Sequence, residues 1–364
     1  MALLLKAVAF VNGRRWGGWH DLTTRPRQTQ NRLLLDTIRR NRSTCFGRDH
    51  RFDTIHSLGD YRKQVQIGDY ERLRPYVERA KYGEANALTE EPVLMFTLTS
   101  GSTGEPKLIP ITETARNNHR VLTRLWYYRA FVDHPRCFSG KLLGIVSPAI
   151  EGKTPGGIPF GAASGLIYKC SPRWLQNSFV APYEVSQIKD FEAKYYVIMR
   201  LALEHEISFF GTPNPSTILK LVESADRFKE EIIKDIRDGT IAGRWSLSTE
   251  IRDQLVSGLS KNATRARQLE SFATQNGKLG PREYWPHVEM IGCWKGGTGG
   301  ILLKEFGRWS REGTSVRDLG YMASEAQITL PVSDVGSAGI LGIEVNFYEL
   351  IPEGEISSAN PTTL

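Results

Sequence analysis

The alternation of short apolar runs with longer amphipathic segments constrains the fold of this chain most. Residues 207–212 (ISFFGT) have the length and composition of a buried strand, and helical patterns flank them at 192–206 and 216–225. Further strand-length apolar runs occupy residues 93–98, 108–111, 141–146, 288–293 and 340–350. Strands that alternate with helices are typical of layered α/β domains. The sequence therefore predicts an α/β fold of layered mixed sheets with flanking helices.

Helix signals occupy the stretches between these runs. The patterns predict helices at residues 28–42, 57–63 and 69–80, and a long helix that reaches residue 131. We expect Thr112 to cap that long helix and Ser216 to cap the helix after Pro215. Residues 150–182 are rich in Gly, Pro and Ser, which predicts either a flexible surface excursion or a loop that lines a ligand cleft.

Length and charge limit the classes of protein to which this chain can belong. The 364 residues allow two domains or one large domain, and 40% hydrophobic residues are enough for a sizeable core. The 47 Lys and Arg against 40 Asp and Glu give a net charge of +7, and the basic residues are scattered. We therefore predict a mildly basic surface that suits an anionic substrate such as a nucleotide, and no nucleic-acid partner.

Cysteine spacing and hydropathy indicate the compartment. The four cysteines (Cys45, Cys137, Cys170 and Cys293) lie far apart, which argues against a disulfide scaffold or a zinc site and fits a reducing compartment. The apolar residues 1–10 include Lys6 and lack a convincing cleavage site, so we do not interpret them as a signal peptide. No run approaches the ~18–20 apolar residues of a membrane span. We expect a cytoplasmic protein that does not associate with membranes.

The stretch 97–112 (TLTSGSTGEPKLIPIT) has the residue types of a loop that grips a phosphate. Glycines let the backbone approach an anion, hydroxyls donate hydrogen bonds and a lysine offsets charge. The candidate residues are Thr99, Ser100, Gly101, Ser102, Thr103, Gly104 and Lys107. The spacing excludes the Walker and dinucleotide fingerprints, because Gly101 and Gly104 are three apart and Lys107 leads into a strand. A Gly/Ser hairpin loop without a ligand is the alternative.

Several motifs together resemble one known family. The order T-S-G-S-T-G-x-P-K resembles the phosphate loop of the acyl-adenylate-forming superfamily. Downstream, "GTPNPSTILKLVE", "YWPHVEMIGCWKGGTGG" and "YMASEA" resemble segments of the auxin-responsive (Gretchen Hagen) acyl-acid amido synthetase family, in the same order over about residues 33–352. The chain is identified as a bacterial-type member. The resemblance implies the large N-terminal domain of the acyl-adenylate-forming fold.

The resemblance also implies a reaction. A carboxylic acid attacks ATP to give an acyl-adenylate and pyrophosphate, and an amine, typically an amino acid, then forms the amide. Ser100, Ser102 and Thr103, with the amides around Gly101 and Gly104, would hold the β- and γ-phosphates. Lys107, assigned a catalytic role, would neutralise charge nearby or brace the loop.

The second motif is YMASEA at residues 321–326, the Ser-Glu motif, and the resemblance gives its residues the other roles. Tyr321 would flank the adenine, Ser324 would bond near the α-phosphate, and Glu325, the second residue assigned a catalytic role, would bind Mg²⁺. Gly296 and Gly297 would let the backbone pass close to the adenine. The alternatives are an ordinary turn with a surface glutamate at 321–325 and a tight turn after a buried strand at 296–299.

Other features leave the function open. The acyl pocket has only loose candidates: the helix after Thr112, residues 152–165 and Trp294. The family's ribose-binding Tyr-Arg-x-Gly-Asp motif is not found before Leu364, and Asp318 lies upstream and does not replace it. We therefore expect residues 1–364 to be an N-terminal large domain, incomplete at its C-terminal end and without the small lid domain. Alternatives are an acyl-CoA ligase and a non-catalytic nucleotide- or acid-binding domain.

Overall fold

A computed structural model describes residues 2–99, 106–356 and 358, with the backbone alone for 2–10, 308 and 309. Its helices are α1 (Ala2–Thr23), α2 (Pro26–Arg40), α3 (Cys45–Asp49), α4 (Leu58–Gln64), α5 (Tyr70–Lys81), α6 (Glu113–Asp133), α7 (Ala163–Lys169), α8 (Arg173–Gln176), α9 (Phe191–Ala202), α10 (Pro215–Arg227), α11 (Lys229–Asp238), α12 (Thr249–Ser257), α13 (Ala263–Asn276), α14 (Pro281–Tyr284) and α15 (Gly299–Trp309). Its strands are β1 (Met95–Leu98), β2 (Leu108–Ile111), β3 (Lys141–Gly144), β4 (Gly152–Lys153), β5 (Pro159–Gly161), β6 (Ile207–Gly211), β7 (Met290–Gly292), β8 (Ser315–Arg317), β9 (Thr329–Leu330) and β10 (Ile340–Leu341).

A parallel sheet with the order β3-β6-β7-β8 lies between two apolar clusters. Successive residues of a strand point to opposite faces. Phe209 therefore packs in the cluster under α6 and α1, while Phe210 packs in the cluster formed with α9, α10 and α11. In β7, Met290 packs in the same cluster as Phe209, and Ile291 packs in the same cluster as Phe210. Burial on both faces explains why these strands are continuous apolar runs in the sequence.

A smaller mixed sheet has the order β2-β1-β5-β4. Strand β1 pairs antiparallel with β2 and parallel with β5. Phe96 of β1 is fully buried and packs in a small cluster with Val77 and Ala80 of α5. The Gly- and Pro-rich residues 150–182 contribute β4, β5, α7 and α8. Much of that region is therefore regular structure, and β5 is the direct neighbour of the strand that leads into the Gly/Ser loop.

The structure confirms the predicted α/β class and the bounds of β2, and it corrects several local predictions. The hydroxyl of Thr112 caps α6 by accepting a hydrogen bond from the Ala115 amide at 3.2 Å. Ser216 is not the cap of α10, because Asn214 takes that position and accepts from the Ser216 amide at 3.0 Å.

Two further differences concern the ends of the chain. The strand predicted over residues 340–350 contains only the two residues of β10. The sequence analysis also missed α1, whose residue Trp19 packs against α6. Among the described residues, no helix combines the length and apolar character that crossing a bilayer requires.

Candidate functional site

The carboxyl ends of the four parallel strands share one edge of their sheet. The segments that leave this edge include residues 293–298 after β7 and 318–321 after β8. Ligands of open α/β sheets bind in the crevice outside such an edge. The structure therefore places Gly296, Gly297 and Tyr321, predicted from separate motifs, at the same edge of one sheet.

The predicted Ser-Glu motif is a tight turn. Met322 and Gln327 form an antiparallel bridge, and the Ala323 amide donates to the Ala326 carbonyl oxygen at 2.9 Å. Ser324 and Glu325 are at the tip of this turn, where the Glu325 side chain is exposed. An exposed carboxylate at the tip of a rigid turn can reach a cation or a ligand without unfolding its support.

This turn docks against the end of β1. The Thr97 hydroxyl donates to the Ser324 carbonyl oxygen at 3.4 Å, and the Ser324 hydroxyl donates to the Leu98 carbonyl oxygen at 3.4 Å. Thr97 is buried, so its hydroxyl needs this partner. The second motif therefore meets the chain where the predicted phosphate loop begins.

Most of the predicted phosphate loop (Ser100, Gly101, Ser102, Thr103 and Gly104) lies outside the described residues. Its flanking residues are paired: the Thr99 amide donates to the Lys107 carbonyl oxygen at 3.1 Å, and the Lys107 amide donates to the Thr99 hydroxyl at 3.3 Å. These two bonds extend the β1–β2 hairpin by one residue pair and hold the two ends of the loop together.

Lys107 contacts helix α5. Its ammonium lies 5.2 Å from the ring centroid of Tyr70, within the range of a cation–π contact. The Tyr70 hydroxyl in turn donates to the carbonyl oxygen of Leu108 at 3.1 Å. These contacts are those expected of a residue that braces the loop, which is one of the two roles that the sequence allowed for Lys107.

The segment after β7 makes a tight turn beside the segment after β8. Gly297 has φ +57°, a left-handed conformation that favours glycine. The Trp294 indole donates to the Gly320 carbonyl oxygen at 3.0 Å, and the Lys295 ammonium donates to the Val316 carbonyl oxygen at 3.0 Å. Lys295 therefore stabilises the turn through its side-chain hydrogen bond to the backbone of β8.

Sequence reasoning missed the role of Asp318. This residue directly follows β8, and its side chain is only 4% exposed. One carboxylate oxygen accepts from the Lys295 amide and the other from the Gly320 amide, each at 2.6 Å. The sequence offered little signal, since β8 is short and only Arg317 of its three residues is buried, so no strand was predicted in front of Asp318.

An ionic cluster of Asp133, His134, Arg317 and Asp334 lies behind the same edge. The buried Arg317 donates to the carboxylates of Asp334 and Asp133, each at 2.7 Å, and His134 lies 2.6 Å from Asp334. Burial raises the pKa of Asp334, but its hydrogen bond to Arg317 and the charges of Arg317 and His134 outweigh this effect. The pKa therefore lies below its ordinary value.

The base of the Ser-Glu turn is tied to the N-terminal helices. Gln30 of α2 donates to the Ile343 and Asn346 carbonyl oxygens at 2.8 and 2.7 Å. Asn346 in turn donates to the Gln327 carbonyl oxygen at 2.7 Å. The segment after β10 thus connects α2 to the last residue of the turn.

A cavity of about 1310 Å³ is lined by residues of α2, α4 and α5 and by residues 344–351. Thr112 and Asn118, at the start of α6, also line it, so the helix after Thr112, one of the loose candidates for the acyl pocket, reaches this cavity. Tyr321, Ser324 and Glu325 are not among its lining residues.

The donor set fits a single hard cation bound together with a phosphate. Within residues 2–99 and 106–356, no group of three or more His, Cys, Asp or Glu side chains is arranged to hold a metal ion. Mg²⁺ typically takes one or two protein carboxylates and completes its shell with substrate phosphates and waters. One exposed carboxylate, Glu325, meets that requirement.

Comparisons with known proteins identify the family of the chain. A family model described as "GH3 family N-terminal domain" matches residues 17–312. Among curated proteins, the chain is 26% identical over 249 residues to indole-3-acetic acid-amido synthetase GH3.2 of Arabidopsis thaliana, covering 66% of this chain and 44% of that protein. It is 27% identical over 240 residues to a probable indole-3-acetic acid-amido synthetase GH3.2 of Oryza sativa subsp. japonica, covering 64% and 39%.

A solved structure shares the fold. The structure of AtGH3.15 acyl acid amido synthetase in complex with 2,4-DB matches with a TM-score of 0.78 at 20% identity, covering 93% of this chain and 61% of that one. The chain thus spans less than half the length of these two curated relatives.

Proposed function

The chain belongs to the GH3 family, and from this premise we propose that it is the nucleotide- and acid-binding part of an ATP-dependent ligase. The ligase would activate a carboxylic acid as an acyl-adenylate and conjugate it to an amine, an amino acid in the first instance. The names of its relatives, which are acid-amido synthetases, support this class of reaction.

One observation carries the proposal most. The Ser-Glu turn contacts the strand that leads into the Gly/Ser loop, through the pair Thr97–Ser324, at the edge where Gly296 and Gly297 also lie. This contact supports the proposal that the turn acts beside the predicted phosphate loop, whose described ends are Thr99 and Lys107. A Gly/Ser hairpin without a ligand does not require that contact.

The proposed first step is a substitution at phosphorus. A carboxylate oxygen of the acid attacks the α-phosphorus of ATP, the new O–P bond forms, and the bond to the β-phosphate oxygen breaks to release pyrophosphate. The protein supplies positioning and charge neutralisation and no covalent nucleophile. In the second step the amine attacks the acyl carbon, AMP leaves with the bonding electrons, and the amine loses a proton.

The chain's own residues have separate tasks in this scheme. Ser100, Ser102 and Thr103, with the amides around Gly101 and Gly104, hold the β- and γ-phosphates. Bound Mg²⁺ would neutralise charge on the phosphate oxygens, and the Glu325 carboxylate would hold it.

Residues beside the loop and at the sheet edge have the remaining roles. Lys107 braces the loop from Tyr70 and adds positive charge next to it. The exposed ring of Tyr321 flanks the adenine opposite the turn at Gly296 and Gly297. Ser324 lies near the α-phosphate, where its hydroxyl would exchange the 3.4 Å bond to the Leu98 carbonyl oxygen for a bond to a phosphate oxygen.

We further propose that residues 1–364 correspond to the large N-terminal domain of a bacterial-type member that works in the cytoplasm on small-molecule substrates. The chain spans less than half the length of the two curated relatives, so we expect weak Mg·ATP binding and little turnover from this portion alone.

The test combines binding and single-turnover chemistry on the 364-residue protein. Calorimetry with Mg·ATP should show binding, and indole-3-acetate, 2,4-DB and benzoate serve as acid probes. With protein in excess, hydroxylamine should capture traces of acyl-adenylate as hydroxamate, while added coenzyme A should give no thioester. Absence of Mg·ATP binding at millimolar nucleotide would contradict the function, thioester formation would favour an acyl-CoA ligase, and rapid pyrophosphate release would contradict the proposed domain division.

A further inference from the structure

We propose that Asp318 is a positioning residue that fixes the spacing between the two backbone segments that flank the nucleotide. The inference rests on the proposed function, because those segments after β7 and β8 carry Gly296 and Tyr321. Asp318 itself is buried, and its side chain bonds to the Lys295 and Gly320 amides of these two segments.

The need for such a residue follows from the end of the sheet. The β7–β8 ladder runs in register to the pair Gly292–Arg317, and its last bond is from the Cys293 amide to the Arg317 carbonyl oxygen at 3.1 Å. Beyond that point the two segments diverge into turns. The amides of Lys295 and Gly320 can no longer pair across the ladder, and buried amides without partners are costly.

The Asp318 carboxylate supplies both missing acceptors. Its two oxygens each accept one backbone amide at 2.6 Å, from Lys295 in one segment and from Gly320 in the other. A carboxylate accepts at both oxygens, whereas the side-chain amide of asparagine accepts at only one and places an NH₂ group at the other. Aspartate therefore suits a position that must accept two donors from opposite sides.

The backbone around Asp318 is fixed as well. Its carbonyl oxygen accepts from the Trp126 indole of α6 at 2.8 Å, so the residue is anchored to the core. Gly320 has φ +91°, and a Cβ atom added to it would lie 2.3 Å from the Thr329 carbonyl oxygen. Because the segment after β8 is fixed at Asp318 and Gly320, losing the bond to the Lys295 amide should release the segment after β7 and change the distance between Gly296 and Tyr321.

The first experiment compares two buried aspartates. Asp318→Asn should raise the Kd for Mg·ATP roughly tenfold or more in calorimetry. The matched control is Asp235→Asn. Asp235 is 3% exposed and accepts from the Tyr196 hydroxyl and the Ala242 amide, at 2.6 and 2.7 Å, but it lies on α11 in the opposite cluster. The control should lower thermal stability and leave the Kd unchanged. Equal Kd changes in the two variants would overturn the proposal.

The second experiment tests, in the absence of a nucleotide, how firmly the two backbone segments are held. Amide hydrogen exchange of residues 294–299 and 319–323 should become roughly tenfold faster in Asp318→Asn and stay unchanged in Asp235→Asn. If Asp318→Asn does not fold, Trp294→Phe serves instead, because it removes the other bond between the segments, from the indole to the Gly320 carbonyl oxygen. It should also speed exchange, by a smaller factor.

Unchanged exchange in both Asp318→Asn and Trp294→Phe would overturn the positioning role whatever the nucleotide does. If the unmodified protein binds no Mg·ATP, the proposed function fails, while faster exchange in these variants would still support a positioning role for Asp318.

Discussion

The two four-stranded sheets support the candidate site in different ways. The parallel sheet is enclosed by apolar clusters on both faces, and the segments that leave its edge are held by buried polar groups such as Asp318 and Arg317. The mixed sheet has a small cluster around Phe96, and it delivers the ends of the phosphate loop through contacts near the surface, such as Lys107 on Tyr70. In the proposed function, the parallel sheet would determine where the nucleotide lies, and the mixed sheet would bring the phosphate-binding groups to it.

The largest expected effect tests this difference in the cores. Phe210→Ala should lower the free energy of unfolding by about 3–5 kcal/mol, since the ring is buried against Trp285 in the large cluster. Phe96→Ala should cost less, about 3 kcal/mol at the lower end of that range, because the smaller cluster around it should close more of the cavity. Urea denaturation measures the free energy of unfolding of both variants. A cost for Phe96→Ala equal to that of Phe210→Ala would contradict the difference between the sheets.

The next effect concerns the turn that joins the two regions. Glu325→Gln removes the exposed charge and keeps the size of the side chain. Because the variant lacks the carboxylate, Mg²⁺ should no longer strengthen ATP binding, and the affinity for Mg·ATP should fall about tenfold. Calorimetry with and without Mg²⁺ measures it. Glu312→Gln, another exposed glutamate, is the control and should keep the dependence. If Glu325→Gln retains the Mg²⁺ dependence, the metal site must lie elsewhere.

The fold class was predictable because both of its signals are local. Strands β6 and β7 lie in continuous apolar runs, and amphipathic patterns indicate the helices. Strand β8 was missed, because two of its three residues, Ser315 and Arg317, are polar. The bounds of β2 also followed from local signals, since Lys107 and Thr112 mark its two ends. Strand order was not predictable, because β6 pairs with β3 and β7 across long stretches of chain. The cap of α10 was wrong because Asn214 and Ser216 are both good caps two positions apart.

The sequence located the motifs of the site but not their supports. The turn at Ser324 was found from its own residues, and the structure then brought it to β1. Asp318 and Gln30 were missed because they act on backbone groups, which leave no side-chain pattern in a sequence. Gln30 lies 313 positions from its partner Ile343.

The smallest expected effect concerns the acid stability of the parallel sheet's edge. Because the pKa of Asp334 is lowered in the folded state, its ion pairs stabilise the fold above the carboxyl's ordinary pKa near ~4. That contribution is lost as the pH falls through the folded-state pKa. Asp334→Asn should therefore lower stability at pH 7 and flatten its decline below about pH 5, measured by urea denaturation. A parallel decline in both proteins would contradict the pairing of Asp334 with Arg317.

The most direct test of the central claim is the affinity of Mg·ATP for the predicted phosphate loop. The claim is that residues 99–107 and the Ser-Glu turn form one nucleotide site. The double variant Ser102→Ala with Lys107→Ala removes a hydroxyl and the charge of the loop. Its control, Ser271→Ala with Lys278→Ala, changes the same residue types at exposed positions in and just after α13. In calorimetric titration the loop variant should bind Mg·ATP at least about tenfold more weakly, while the control binds like the unmodified protein. Unchanged affinity in the loop variant would contradict the account.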